Sequence, residues 1–294
     1  MEHLLLIGAG YSAAYIAEKF LTDPASNEMT VTVTTRAASQ EKKRIKPFPQ
    51  ATKLLEVDYQ SPSLPVSTTH LIMTAPVSVE KNREQWQALA KAIGQLPSLQ
   101  WIGYLSTTSV YGDAAGEWVT EDFPLNPSNK RADDRLHAET QWQSLSKELS
   151  LPLDIFRLTG IYGPGRSAID KLRSGKARMI IKKDQVFNRI HVADIAEVCF
   201  AAAQTPRQSL QQSLRRIYNV SDGQPCPPQE VTKFAADLLG IAPPKAENYE
   251  SADMSFMARS FYEENKRIDN RKMRTELNVN LRYPSYKEGL TPLA

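Results

Sequence analysis

Two glycines two residues apart stand where an apolar run ends. Leu4-Leu5-Leu6-Ile7 leads into Gly8-Ala9-Gly10-Tyr11-Ser12-Ala13-Ala14, and a helical spacing of apolar residues (Ile16, Ala17, Phe20, Leu21) follows directly. Strand, tight turn and helix in that order gather backbone N–H groups and the positive end of a helix at one point, which is the chemistry of a pyrophosphate site. Ala13, at the third position of a G-x-G-x-x-G/A pattern, is small enough for the helix to pack closely on the strand. Gly8, Gly10 and the backbone of Tyr11, Ser12 and Ala13 are therefore candidate ligands of a dinucleotide. A β-branched run, Thr30-Val31-Thr32-Val33-Thr34-Thr35, then ends at Arg36, with no carboxylate before Glu41. An acidic residue at such a strand end takes the ribose 2′-hydroxyl of NAD, whereas an arginine accommodates the 2′-phosphate of NADP. Arg36 favours NADP, with NAD the alternative. Asp58, after a third short strand, is placed to meet the adenine amino group, and Ala75-Pro76, after a fourth, to pass over the middle of the cofactor.

These residues need a scaffold, and the spacing supplies one. Apolar or β-branched runs at 54–57, 70–74, 101–105 and 153–158 alternate with helical patterns over 80–96 and from 126–128 to about 149. That alternation predicts an α/β fold, a doubly wound parallel sheet. Ligands bind such sheets at the carboxyl ends of the strands, so the hydroxyl cluster Ser106-Thr107-Thr108-Ser109 at the end of the fifth strand is a candidate site. Beyond residue 165 the alternation loosens. Short strands are expected near 178–181 and 217–220, the stretch 189–196 leads into a helix to about 203, and further helices are expected from a cap at 227–230 to 240 and near 271–277. We expect a dinucleotide-binding domain over 1–165, to which about 188–222 returns. A smaller discontinuous substrate lobe is expected from 166–187 and 223–294.

A chain of 294 residues with 41% hydrophobic content can bury a sizeable core. The formal net charge of +3 is spread along the chain apart from a short Lys42-Lys43-Arg44 run, which argues against a nucleic-acid partner. Two cysteines, Cys199 and Cys226, form no disulfide framework and no metal spacing. The Leu4–Ile7 run is too short for a signal peptide and no apolar run reaches membrane-span length, so a cytoplasmic protein without a membrane partner is expected.

The ordered motifs Gly8-Ala9-Gly10, Ser106 to Gly112, Arg157 to Gly165, Arg189 to Ala196 and Tyr218 to Gly223 together resemble the extended short-chain dehydrogenase/reductase superfamily, the group of nucleotide-sugar epimerases and dehydratases. The tail, Asn265-Lys266-Arg267 through Leu290, looks like a bacterial subgroup within it. The resemblance implies a Rossmann-type domain, a C-terminal substrate lobe and a cleft between them. It also implies a small-molecule substrate and homodimers through the two long sheet-flanking helices. It places Thr159, Gly160 and Ile161 at the cofactor carboxamide and Arg166, Arg189 and Arg267 on the substrate side, where they meet an anionic group.

The same resemblance implies a catalytic trio: a Ser or Thr after the fifth strand, then Tyr and Lys four residues apart on one helix face, where the Lys charge lowers the phenol pKa. Thr107 matches the hydroxyl. Aligning on Ala138-Glu139, however, puts Arg135 at the Lys position and Arg131 at the Tyr position, and residues 129–143 contain no tyrosine. An arginine keeps the positive charge but is no acid near neutral pH. Three explanations stand. Tyr111, Tyr162, His137 or His191 supplies the proton; or the substrate needs no phenol; or the fold keeps its cofactor without catalysis. Arg131 and Arg135 on one helix face also suit a substrate carboxylate or phosphate. The expectation is an NADP-preferring oxidoreductase or epimerase/dehydratase-like enzyme that transfers hydride on a small hydroxyl or carbonyl compound, with a nucleotide sugar as the family's commonest substrate class. The alternative is a non-catalytic NADP(H)-binding regulatory protein.

Overall fold

The computed structural model describes residues 2–26, 28–36, 46–75, 80–205 and 214–294. Pro76, Glu41 and the Lys42-Lys43-Arg44 run lie outside the described residues. In chain order the strands are β1 (His3–Ile7), β2 (Thr30–Thr35), β3 (Thr52–Glu56), β4 (His70–Met73), β5 (Trp101–Thr107), β6 (Trp118–Val119) and β7 (Leu153–Leu158). They continue with β8 (Gly160–Tyr162), β9 (Met179–Ile181), β10 (Arg189–His191), β11 (Arg215–Val220), β12 (Ala246–Asn248) and β13 (Arg267–Ile268). The helices are α1 (Tyr11–Thr22), α2 (Arg83–Gly94), α3 (Lys130–Leu149), α4 (Ala168–Arg173) and α5 (Val192–Gln204). After them come α6 (Pro228–Leu238), α7 (Phe256–Ser260), α8 (Arg271–Glu276) and α9 (Tyr286–Leu290).

Seven strands form one sheet in the order β11-β7-β5-β4-β1-β2-β3. The pairs β1–β2, β1–β4, β2–β3 and β4–β5 are all parallel. A parallel strand at the centre of a sheet is covered on both faces, so it reads as a continuous apolar run instead of an alternating one. β1 is such a strand, buried at every position. From β3 at one edge the chain crosses to β4 on the far side of β1, so the order reverses between β1 and β4, where open α/β sheets bind their ligands. The expected doubly wound α/β fold is found.

Boundaries moved where caps decide them. The helix expected over 80–96 begins at Arg83, because Asn82 Oδ1 accepts the Gln85 backbone N–H at 3.1 Å. α4, unread in the sequence, is started by a capping box in which Ser167 and Asp170 satisfy each other's backbone N–H. No described helix is long and apolar enough to cross a membrane.

The chain divides into two compact units. The first comprises Met1–Thr107, Lys130–Arg157 and Ile195–Tyr218; the second comprises Thr108–Asn129, Leu158–Asp194 and Asn219–Ala294. Residues 108–129 and 158–165, which the sequence alone assigns to the dinucleotide domain, thus group with the second unit. In the first unit Leu5, Ile7, Leu71, Met73, Ile102, Tyr104, Trp142 and Ile155 belong to one apolar core. The second has its own smaller core, around Tyr162, Ile169, Ala235, Tyr286 and Leu290.

Helix α3 is fastened to the sheet by charge as well as by apolar packing. Glu139, 0% exposed, accepts from Arg157 through both carboxylate oxygens at 3.1 and 2.8 Å and from the Ser106 hydroxyl. Arg157 in strand β7 is thereby the structural partner its position in an apolar strand suggests. A second buried carboxylate, Asp154, accepts the Trp101 indole N–H at 2.8 Å and a bidentate Arg216 at 2.8 and 2.7 Å. Removing one partner of a buried pair strands the other charge, which costs about 3–5 kcal/mol. Glu139→Ala should lower unfolding stability by about that amount in urea titrations, and Arg157→Met in the same background should recover part of it.

Candidate functional site

The first unit concentrates the candidate cofactor residues at the β1–β4 reversal. Gly8 has φ +111°, a left-handed conformation that favours glycine. A Cβ added there would lie 2.8 Å from Ala75 Cβ and 2.9 Å from Ala75 N, so the ends of β1 and β4 approach to backbone contact. Two threonines that read in the sequence only as strand residues hold this peptide. Thr34 Oγ1 accepts the Gly8 N–H at 3.1 Å, and the Thr74 hydroxyl donates to Gly8 O at 2.8 Å. The signal that could have found them is a hydroxyl at the carboxyl end of each strand flanking β1. Thr34 Oγ1 also meets the Tyr59 hydroxyl at 3.1 Å.

Gly10 is the N-cap of the twelve-residue α1, and a Cβ placed on it would meet nothing within 4 Å. No side chain caps this helix end and no acidic residue stands in its first turn. The space around Gly10 among the described residues thus adjoins the positive end of a helix with no acidic residue in its first turn, and the residues fit an anionic dinucleotide. Ala13 is fully buried, as close helix–strand packing requires. Arg36 is exposed at the end of β2. Asp58 is exposed at the end of β3, but its carboxylate accepts the Gln60 backbone N–H at 2.9 Å, forming a local turn.

On the same unit, Thr107 ends β5 half-buried. Arg131 is exposed on the first turn of α3; Arg135, one turn on, is half-buried. Arg135 Nη1 donates to the Tyr104 hydroxyl at 3.0 Å and to Leu105 O at 3.1 Å, with the guanidinium 5.6 Å from the Tyr104 ring centroid. The cation at the Lys position is thus anchored on the strand that carries Thr107. His137 is exposed on the same helix.

The second unit holds the remaining candidates, and the structure reassigns several. Tyr111 is fully buried and donates its hydroxyl to Asn219 Oδ1 at 2.7 Å, which makes it a packing residue and not an exchangeable phenol. Tyr162 donates to Ser285 O at 3.1 Å, and burial pushes its pKa far up. His191 sits against Tyr162 and Tyr283, and its Nδ1 accepts the Ala193 N–H. Burial, reinforced by Arg282, pulls its pKa down to about 4. Asp194 accepts the backbone N–H groups of Arg282 and Tyr283 at 2.7 and 3.1 Å. Arg189 and Arg267, expected to meet an anionic group, donate inward. Arg189 turns to Phe187 O and Cys226 Sγ, and Arg267 to Gly116 O. Arg166 is exposed. Thr159 sends both its N–H and its hydroxyl to Val220 O, Gly160 N–H donates to Asn188 O, and Ile161 pairs with Ile190 in the β8–β10 ribbon.

Asp222, which the sequence reading did not single out, is 5% exposed. Its Oδ1 accepts the Gln224 N–H while Oδ2 has no partner. Burial raises its pKa to about 7, against the pull of Arg189. Among the described residues no group of three or more His, Cys, Asp or Glu is placed to hold a metal ion.

Residues 4–221 match the family described as the NAD dependent epimerase/dehydratase family. Protein YeeZ of Escherichia coli (strain K12) is 30% identical over 189 residues, covering 62% of this chain and 58% of that protein. The chain therefore spans little more than half the length of this curated relative. A conserved protein of unknown function from Silicibacter pomeroyi DSS has a TM-score of 0.85 at 39% identity, covering 100% of this chain and 98% of that one. The UDP-glucose 4-epimerase of Thermus thermophilus, solved in complex with NAD, shares the fold with a TM-score of 0.73 at 20% identity, covering 98% and 96% of the two chains.

Two outcomes follow from these environments. Gly10→Ala fills the open approach to α1 at a stability cost of no more than about 1 kcal/mol, whereas Gly8→Ala collides with Ala75 and lowers the unfolding midpoint; paired melting curves separate the two. Asp222 holds a proton in the folded chain up to about pH 7, and its unfolded counterpart loses one near 3.8. Its contribution to stability is therefore full below the lower value and lost as pH rises through the higher one. His191 titrates in the opposite sense across an overlapping window, from 6.5 unfolded to about 4 folded. The signature thus lies in the difference: the stability advantage of Asp222→Asn over the parent should grow as pH rises to about 7 and then level off.

Proposed function

The chain belongs to the NAD dependent epimerase/dehydratase family, and from that premise we propose that it binds NADP(H) on its first unit and transfers hydride to or from a small hydroxyl or carbonyl compound. A nucleotide sugar is the substrate class of this reading, by analogy with the UDP-glucose 4-epimerase that shares its fold. The observation that carries the reading is the glycine turn: Gly8 pressed onto Ala75, followed by a helix start at Gly10 where an added Cβ meets no described atom within 4 Å and no acidic residue stands in the first turn. The nicotinamide ring, when bound, supplies the hydride acceptor or donor. Gly8, Gly10 and the backbone of Tyr11, Ser12 and Ala13 hold the pyrophosphate, Arg36 the 2′-phosphate, Asp58 the adenine edge and Ala75 the middle of the cofactor. Thr107 orients the substrate oxygen, and Arg135 takes the place of a lysine beside the nicotinamide ribose. Arg131 and Arg166 are exposed cations for an anionic group on the substrate.

A second reading, a non-catalytic NADP(H)-binding regulatory protein, is favoured by one observation. Tyr111, Tyr162 and His191, three of the groups considered as proton donors, are each engaged inside the second unit. Titration with NADPH and NADH, followed by nucleotide fluorescence, tests the cofactor. NADPH should bind about tenfold more tightly, near 1.4 kcal/mol, and Arg36→Ala should erase that preference; equal losses for both nucleotides remove Arg36 from the phosphate site. Cofactor oxidation over a panel of sugar nucleotides and simple carbonyls, lost in Thr107→Val, would rule out the regulatory reading.

A further inference from the structure

Glu80 precedes α2 and is 2% exposed. Its Oε1 accepts the Trp142 indole N–H at 3.2 Å and its backbone carbonyl accepts Gln141 Nε2 at 3.2 Å, so both ends of the residue are tied to α3. Oε2 has no hydrogen-bond partner among the described residues. The Trp142 ring stacks on Tyr104, with centroids 5.8 Å apart and planes 27° from parallel, and the Tyr104 hydroxyl accepts from Arg135. The stacked Trp142–Tyr104 pair thus links Glu80, at the Trp142 indole N–H, to Arg135, at the Tyr104 hydroxyl. A buried carboxylate with one oxygen unsatisfied is costly unless an opposite charge compensates it. Arg135 acts on Glu80 in that sense: burial drives the carboxyl pKa up, and the nearby guanidinium draws it back.

We propose that Glu80 is a positioning residue for Arg135. Its carboxylate, tethered to α3 through Trp142, is the buried countercharge that keeps the guanidinium on Tyr104 and Leu105, and so in place for the cofactor. This rests on the reading of Arg135 given under Proposed function. Glu80 lines a surface cavity of about 550 Å³ together with Lys81, Asp134 and His137. The other ionisable groups around it are Glu139 on α3, which is paired with Arg157, and the phenols of Tyr59 and Tyr104. Lys81 and Asp134 are paired with each other at 2.7 Å. As pH falls through the raised Glu80 pKa the countercharge disappears, Arg135 loosens, and the cofactor binds more weakly.

The test is NADPH affinity across about pH 5 to 9, by nucleotide fluorescence, for the parent, Glu80→Gln and Glu80→Asp. The parent should lose affinity on the acid side. Glu80→Gln should bind about tenfold more weakly at alkaline pH and lose the acid limb, while Glu80→Asp restores it in part. A Gln variant with the parent's affinity and pH profile overturns the proposal. Without nucleotide, the tryptophan emission of the parent should show a pH step that both Glu80→Gln and Trp142→Phe abolish; a step that survives Glu80→Gln counts against it. Should the parent bind no NADPH, the functional reading falls, and the positioning role is decided by urea unfolding of Glu80→Gln, Arg135→Gln and the double variant. Additive losses reject the coupling, and a double variant less destabilised than the sum supports it.

Discussion

The backbone contact between Gly8 and Ala75 is the constraint on which the first unit is arranged. β1 and β4 are parallel neighbours, and the chain leaves β1 by a turn so tight that no side chain fits between the strand ends. Thr34 in β2 and Thr74 just past β4 each bond one of the two backbone polar groups of Gly8. With that residue clamped, Gly10 and the first turn of α1 are presented at a fixed height above the sheet. The geometry of this turn is therefore a product of strand order and backbone clearance.

Helix α3 solves a different problem. It is rich in charge, yet one face carries Ala138, Glu139, Trp142, Leu145 and Ser146 into the interior. It docks by satisfying buried polar groups: Glu139 on Arg157 and Ser106, Arg135 on Tyr104 and Leu105, Trp142 on Glu80. Such pairs add little over apolar residues of similar size, but each tolerates one geometry only. A helix held this way keeps the Arg131–Arg135 face in one orientation, which a catalytic or cofactor-holding cation requires.

The second unit is stitched by side chain to backbone. Asn188 accepts the Ile268 N–H and donates to Lys266 O, Asn265 bonds Val186 N and Asp184 O, and Asn270 donates to Ser221 O. Asp194 gathers the tail at Arg282 and Tyr283. The stretch that reads as charged and irregular is thus an ordered set of short strands and turns, whose hydrogen bonds are made by amide side chains in place of long ladders.

Much of this was legible locally. The glycine turn, the strand runs at 30–35, 70–73 and 153–158, and the helix after residue 192 depend on spacings of two to four residues, and a chain carries that information without its fold. The parallel α/β sheet and the family followed from several such motifs in sequence, whereas the strand order came from the tertiary structure. Partner choice did not. Tyr111 finds Asn219 across 108 positions, and Arg267 finds Gly116 across 151. An arginine or tyrosine on the page looks equally suited to a ligand or to a buried carbonyl, because its chemistry is the same in both places. Only tertiary packing, by deciding which polar groups lose their water and must be satisfied from within, turned Tyr111, Arg189 and Arg267 inward, left Arg36, Arg131 and Arg166 exposed, and buried Glu80 beside the Trp142–Tyr104 stack.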